Sequence, residues 1–326
     1  MTHRLAFLLA LVLVAAGCGD PTPTSPSPVP TGSLGPDACV ATPAPSGIPA
    51  GWDVASQQPS IFPVIINPLG ARACGPTRLM FSFLDENNVP VTAPERSVNV
   101  ALFDLGADPA RPAITGIATF IWAIEPTTGV YVIDVDFPTS GTWGAEFTAV
   151  IGDSVPETIR LTFEVAPEPT VVSVGDPAPA SNTPTLADVG GDVAKISTDD
   201  DPVEAFYETS VADALAAKEP FVLAFATPKF CATAQCGPTL DRLKPIAAAH
   251  PGLTFINVEP YQLAETDGTL QPVLTEGQLT PAPATNEWKL AAEPWVFVVD
   301  RDGVVRASFM LIFSDEELEA AIAAVE

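Results

Sequence analysis

The chain has 326 residues, enough for two domains, and its 14 Lys and Arg against 40 Asp and Glu give a formal net charge of −26. A surface this acidic repels phosphate backbones, so a nucleic-acid partner is not expected. The chain has only two histidines, His3 and His250, which argues against Ser-His-Asp hydrolases, Cys-His proteases and multi-histidine metal sites. No lysine follows a glycine, as a P-loop would require. No metal or other cofactor is therefore predicted.

Residues 1–17 have the pattern of a secretory signal. Arg4 supplies the positive charge, and the apolar run that follows is too short to span a bilayer. The small residues Ala15-Ala16-Gly17 then precede Cys18, which resembles the lipobox of bacterial lipoproteins. The resemblance implies that Cys18 is lipidated after cleavage and holds the chain to the bacterial cell membrane on its extracytoplasmic side. The alternative is an ordinary signal peptide with an incidental cysteine.

Two stretches are too rich in proline to build a core. Nine prolines lie among the Ser, Thr and Gly of residues 19–50, so residues 18–50 are predicted to be an extended tether. Residues 167–192 contain five prolines and no aromatic residue, and they are predicted to be a second linker. Two folded domains, residues 51–166 and 193–326, would lie on either side of it.

Residues 51–166 have the alternation of β-strands. Apolar and polar residues alternate in short segments bounded by turn residues, with no helical period, which predicts an antiparallel sandwich. The predicted strands are residues 78–84, 97–103, 115–124, 130–137, 142–151 and 158–165. The stretch from Gly129 to Trp143 resembles the last hairpins of immunoglobulin-like modules on bacterial surface proteins. That resemblance implies a spacer or binding module.

Residues 193–326 contain both the alternation of β-strands and the period of α-helices. Ser210 and Ser314 each begin a capping pattern ahead of a helix, and Asp302-Gly303 indicates a tight hairpin. The predicted strands are residues 193–197, 221–226, 253–258, 294–299 and 304–311, and the predicted helices are residues 210–217, 238–249 and 314–326. An insert at residues 259–289 could shape a substrate groove beside the cysteines. The region is predicted to be an α/β domain.

Two cysteines follow the second of these strands. They lie in the run Phe230-Cys231-Ala232-Thr233-Ala234-Gln235-Cys236-Gly237-Pro238, and Glu293-Pro294-Trp295 opens a later strand. With the order of elements, these residues resemble the thioredoxin family. The predicted fold is therefore an all-β immunoglobulin-like sandwich followed by an α/β thioredoxin-like domain.

The thioredoxin resemblance implies thiol–disulfide exchange with protein thiols and disulfides of the cell envelope. Cys231 would be the attacking nucleophile and Cys236 the resolving thiol. Pro294 corresponds by position to the cis-proline that positions the substrate backbone. Trp295 and Phe230 would supply apolar walls.

The spacing of the two cysteines departs from the family, which has two residues between them where this chain has four. If Cys231 and Cys236 were both helical, they would lie about 140° apart and roughly 7.5 Å along the axis, too far to bond. Either Cys231 lies in a loop before the helix or the first turn unwinds. Pro238 favours the loop, because proline suits a first helical turn. Alternatively, Pro238 matches the proline that kinks this helix in thioredoxins, which would place Cys236 inside the helix.

Other functions share parts of this pattern. One class of peroxiredoxins has the same cysteine spacing, but Thr227 lies four residues before Cys231 where that family has three, and the nearest downstream arginine is Arg242. Copper chaperones of the Sco type need a histidine near the cysteines, and His250 is too far along the helix. A binding or scaffold protein with a structural disulfide is the alternative from another class.

The cysteine count predicts two disulfides. With Cys18 lipidated, four cysteines remain, and an oxidising envelope favours two pairs. Cys231 and Cys236 form one, and by elimination Cys39 and Cys74 form the other, which would pin the tether to the sandwich. Cys39 could instead be free or pair between molecules.

Overall fold

Alternating apolar side chains fold residues 62–165 into two facing antiparallel sheets. The computed structural model describes residues 41–53, 57 and 59–326. The strands are β1 (Phe62–Ile65), β2 (Pro76–Leu84), β3 (Arg96–Asp104), β4 (Ile114–Ile117), β5 (Thr119–Ile124), β6 (Thr128–Asp136), β7 (Gly141–Ile151) and β8 (Glu157–Val165). One sheet has the strand order β1-β2-β6-β5 and the other β4-β3-β7-β8.

The core of this sandwich lies between the sheets. Every second residue of the central strands points inward, as the period of a pleated strand requires. The Phe81 ring lies 4.5 Å from that of Phe147 on the opposite sheet, centroid to centroid. The fully buried inward side chains are Leu79, Phe81, Phe83, Val98, Leu102, Tyr131, Phe137, Trp143, Ala145, Phe147 and Ile159.

Residues 115–124, predicted as one strand, belong to two. β4 pairs with β3 in one sheet, while β5 pairs with β6 in the other. Ala118 lies between them, and its N–H donates to the Val98 carbonyl at 2.9 Å. The chain therefore crosses from one sheet to the other within a single apolar run, which alternation alone does not reveal.

The second region is a mixed sheet with helices on it. The strands are β9 (Phe221–Phe225), β10 (Thr254–Val258), β15 (Trp295–Val299) and β16 (Val305–Met310), and the main helices are α1 (Val211–Ala217), α2 (Cys236–Ala249) and α4 (Asp315–Ala323). The strand order is β10-β9-β15-β16; β9 and β10 run parallel, and β15 is antiparallel to both its neighbours. All five residues of β9 are buried, because packed elements cover both faces of the strand.

The two faces of the mixed sheet bury different cores. Val222, Ala224 and Val296 pack with the apolar residues of α2 and α4. The alternate residues, among them Phe225 and Trp295, pack with α1 and the insert on the other face. Alternation along each strand therefore decides which side chains share a face with the cysteines.

Two parts of this region differ from the sequence prediction or extend it. Residues 193–197 are predicted as a strand, but Val193–Lys195 form a 3-10 helix. The Ile196 N–H caps this helix by donating to the Val193 carbonyl, so a local hydrogen bond replaces strand pairing. The insert folds into two small hairpins and a short helix. These are β11 (Leu263–Thr266) with β12 (Thr269–Pro272), β13 (Leu274–Thr275) with β14 (Gln278–Leu279), and α3 (Pro283–Glu287).

Residues 167–192 are packed where their composition predicts a solvated linker. Val171 and Val172 are both 8% exposed and belong to the core beneath the mixed sheet. The Gly175 and Ala178 N–H groups donate to the Val305 and Gly303 carbonyls at 2.9 and 2.8 Å. The segment therefore lies along the start of β16.

The outer face of the β1-β2-β6-β5 sheet packs against the second region. Met80, Ile121 and Val132 form a small core with Ile312, which follows β16. Beside it, Arg78 donates two hydrogen bonds to the Glu317 carboxylate, at 2.6 and 3.0 Å. All described residues fall within one compact unit.

Candidate functional site

Cys231 and Cys236 form a disulfide, with Cα atoms 6.0 Å apart. Cys231 lies in the loop between β9 and α2 and is partly exposed, while Cys236 is the first residue of α2 and is 0% exposed. The loop turns back through Ala234, whose φ is 58°. The loop alternative is therefore confirmed, and the alternative that placed Cys236 inside the helix is wrong.

The N-terminus of α2 directs a backbone donor at the outer sulfur. Gln235 precedes the helix without capping it by its side chain, and the Cys236 N–H donates to Cys231 Sγ at 3.3 Å. Pro238, the third helical residue, has no N–H to satisfy. The partial positive charge of a helix N-terminus stabilises a thiolate placed there. The arrangement can therefore favour the ionised form of Cys231 when the disulfide is reduced.

A buried carboxylate holds the loop between the cysteines. Glu293 is 4% exposed, and its carboxylate accepts from the Ala232 N–H at 2.8 Å and from the Tyr261 hydroxyl at 2.7 Å. The Thr233 hydroxyl lies 2.9 Å from the Glu293 carbonyl and 3.3 Å from Cys231 Sγ. Burial, and then the hydrogen bond to Glu293, raise the pKa of Tyr261, so the phenol stays a donor at ordinary pH.

Glu293 and Tyr261 are not among the site residues predicted from the sequence. The sequence does contain a signal for Glu293, which is a charged residue immediately before the predicted apolar strand at residues 294–299. A charged side chain at that position adds nothing to an apolar core, which indicates a polar role. Tyr261 is part of the insert, where no periodicity points to the cysteines. In the sheet, β10 and β15 lie on the two sides of β9. The residues that follow β10 and precede β15 therefore come close to each other, and Tyr261 and Glu293 are among them.

The predicted substrate-positioning residues are only partly gathered here. Phe230 is half-buried beside Cys231, and Pro294 is buried, with a cis peptide bond to Glu293. Trp295 is 5% exposed and stacks on Phe297 at 5.6 Å, on the sheet face away from Cys236. Trp295 therefore does not form the apolar wall that the sequence predicts beside the cysteines, because its side chain lies on the opposite face of the sheet from Cys236.

A second polar cluster surrounds Glu259, directly after β10. Its carboxylate is 8% exposed and accepts from the Thr198 N–H at 2.6 Å. Burial raises the Glu259 pKa, and burial also raises the pKa of nearby Tyr207 to about 12. Tyr207 lies 2.8 Å from Ser197 Oγ and accepts from the Asn257 amide at 2.9 Å. These contacts tie the segment before α1 to β10.

Of the remaining predicted residues, Cys74 and His250 lie apart from the cysteine pair. Cys18 and Cys39 are outside the described residues; Cys74 is disulfide-bonded, and its pairing with Cys39 stays a prediction. His250 ends α2, far from Cys236, and contacts Glu319 at 2.8 Å.

Comparison with known proteins adds no assignment: no protein-family model and no curated protein matches the chain. Within residues 41–53, 57 and 59–326, no group of three or more His, Cys, Asp or Glu side chains is placed to hold a metal ion. Among the helices of that part of the chain, none has the length and apolar content to cross a membrane.

Proposed function

We propose that the chain is a membrane-anchored thiol–disulfide oxidoreductase of the cell envelope, with Cys231 as the attacking thiol and Cys236 as the resolving thiol. The observation that carries the proposal is the asymmetric disulfide. One sulfur is partly exposed in a loop and receives the first N–H of α2, while the other is buried in the helix. A pair built only to staple the fold does not need one sulfur at the surface.

The exchange reaction needs no cofactor. The Cys231 thiolate attacks one sulfur of a substrate disulfide, forming a mixed disulfide and releasing the other substrate sulfur as a thiolate. Cys236 then attacks Cys231 Sγ, which re-forms the Cys231–Cys236 bond and releases the second substrate sulfur. The protein loses two electrons, the substrate gains them, and the released thiolates take up the thiol protons. The reverse sequence oxidises a substrate dithiol.

The fold gives the proposal a second line of support. A parallel β9–β10 pair beside the antiparallel β15–β16 hairpin, with the cysteines after β9, agrees with a thioredoxin-like domain. The two facing antiparallel sheets agree with an immunoglobulin-like sandwich. In this proposal Cys18 carries the lipid anchor, and the sandwich is the spacer or binding module that holds the redox site off the membrane.

Thiol exchange is preferred to peroxidase chemistry because of Arg242. A peroxidatic cysteine needs a cation beside its sulfur. The Arg242 guanidinium instead donates to the Phe313 and Trp122 carbonyls and pairs with Asp315 at 3.5 Å. Those contacts hold it between the start of α4 and the sandwich. Lys229 pairs with Asp200 at 3.5 Å, in solvent.

The proposal is tested by trapping. Cys236→Ser should accumulate a mixed disulfide through Cys231 in envelope extracts, because the resolving thiol is gone, and Cys231→Ser should accumulate none. The pH dependence of Cys231 alkylation in the Cys236→Ser protein should give a pKa below the free-cysteine value of about 8.5.

The double variant Cys231→Ser, Cys236→Ser is the matched control for capture through other cysteines. The pair would be structural if all three variants capture partners equally, or none does, and the wild-type disulfide has a reduction potential below about −300 mV. The chain would then be a scaffold with a thioredoxin-like fold and no exchange chemistry.

A further inference from the structure

The residues between the two cysteines have few contacts of their own. Ala232, Thr233 and Ala234 are exposed, and none of the three belongs to the core against which Cys231 packs. Their polar contacts outside the loop converge on one residue, because the Ala232 N–H donates to the Glu293 carboxylate and the Thr233 hydroxyl donates to the Glu293 backbone carbonyl. We therefore expect the position of Cys231 relative to α2 to depend on Glu293 when the disulfide is open.

Glu293 is built to stay in place. It lies two residues before β15, and β15 is hydrogen-bonded along its length to both β9 and β16. The Tyr261 hydroxyl satisfies the carboxylate oxygen that does not face the loop. A buried carboxylate with two good donors is a rigid acceptor, since losing either donor would leave charge without compensation.

We propose that Glu293 is the positioning residue of the redox site, and that with Tyr261 it forms a clamp that keeps Cys231 within reach of Cys236 while the disulfide is open. The inference rests on the proposed function and deepens it. In the resolving step Cys236 must meet Cys231 Sγ, so the rate depends on how often the loop holds that sulfur over the start of α2. The clamp supplies that proximity through the Ala232 N–H.

The test measures the equilibrium of the Cys231–Cys236 pair with glutathione in the purified full chain, which needs no knowledge of the substrate. Glu293→Ala removes the carboxylate that accepts from the Ala232 N–H and keeps the backbone carbonyl that accepts from Thr233. The effective concentration of the two thiols should fall at least tenfold, which is about 30 mV for a two-electron couple. Glu293→Gln keeps a carbonyl oxygen for Ala232 and should restore most of the wild-type value. Tyr261→Phe should produce a smaller fall in the same direction.

Asp104→Ala is the matched control, because Asp104 is also a buried carboxylate, 7% exposed, and accepts two backbone N–H groups and the Thr139 hydroxyl within the sandwich. Asp104→Ala should lower stability and leave the glutathione equilibrium unchanged.

If Glu293→Ala does not fold, the result for Tyr261→Phe decides. A wild-type equilibrium in the folded Glu293 or Tyr261 variants, or an equal fall in Glu293→Gln and Glu293→Ala, overturns the clamp. A loss in Glu293→Ala without any trapped partner in Cys236→Ser would keep the clamp and reject the exchange function.

Discussion

At the scale of single residues, close packing of the sandwich leaves positions that no side chain can enter. Gly144 lies in β7 opposite Phe103, and the Trp52 ring covers its Cα. Trp52 is 1% exposed and packs edge-on against Phe103 at 4.9 Å, so the ring has no room to retreat. The glycine is therefore required by contact with a neighbour.

We predict that Gly144→Ala destabilises the protein by about 1–3 kcal/mol, the cost of overpacking a filled core. Gly252→Ala is the control, since nothing lies within 4 Å of its added methyl group. Urea unfolding of both variants measures the difference. Equal free energies of unfolding would show that Trp52 can move aside.

The scale of elements shows where sequence patterns suffice. Ser210 and Ser314 cap α1 and α4 as predicted, because a cap is a local hydrogen bond between residues three apart. The alternation in residues 78–84, 130–137 and 142–151 likewise marks real strands. The crossing at Ala118 and the 3-10 helix at Val193–Lys195 were missed, since each depends on which distant strand is available for pairing.

The candidate site divides in the same way. Cys231, Cys236 and the loop between them could be predicted from spacing and from Pro238. The carboxylate of Glu293 could not, because it meets the loop only where segments far apart in sequence come together. The orientation of Trp295 needed the register of β15 against β9.

Helices α2 and α4 are joined at one end by a titratable contact. The His250 ring lies 2.8 Å from the Glu319 carboxylate and 3.0 Å from that of Glu326. Hydrogen bonds to Glu319 first and then to Glu326 raise the His250 pKa above 6.5. Because the folded-state pKa is the higher one, the stabilisation is complete below the unfolded value and is lost as pH rises through the folded value.

We therefore predict that His250→Gln costs about 0.5–1 kcal/mol near pH 5.5 and almost nothing near pH 9, the range expected of solvent-screened ion pairs. Thermal unfolding at the two pH values checks this. Glu316→Gln, on an exposed part of the same final helix, should show no such difference. A His250→Gln penalty that is constant with pH would assign the contact to packing.

At the scale of the whole molecule, the sandwich and the mixed sheet meet at a small apolar contact that has two arginines beside it. Ile312 is 9% exposed among Met80, Ile121 and Val132, and Arg78 and Arg242 bridge to the opposite region beside it. Contacts of this kind couple the unfolding of the two regions.

Ile312→Ala should lower the free energy of unfolding by about 2 kcal/mol or more, and it should separate one calorimetric transition into two. Ile117→Ala is the matched change on the surface, because Ile117 is 70% exposed, and it should leave a single transition. One sharp transition in both variants would mean that the regions are coupled elsewhere.

The burial of Cys236 has a consequence for the oxidised protein. An incoming thiolate reaches only the sulfur of Cys231, so opening of the bond is regioselective and Cys236 is always the leaving group. That leaving group departs at the first residue of α2, where the helix N-terminus lowers the energy of a sulfur anion. A thiol of any size should therefore add to Cys231 alone, and Cys236 then remains as the thiol that expels it.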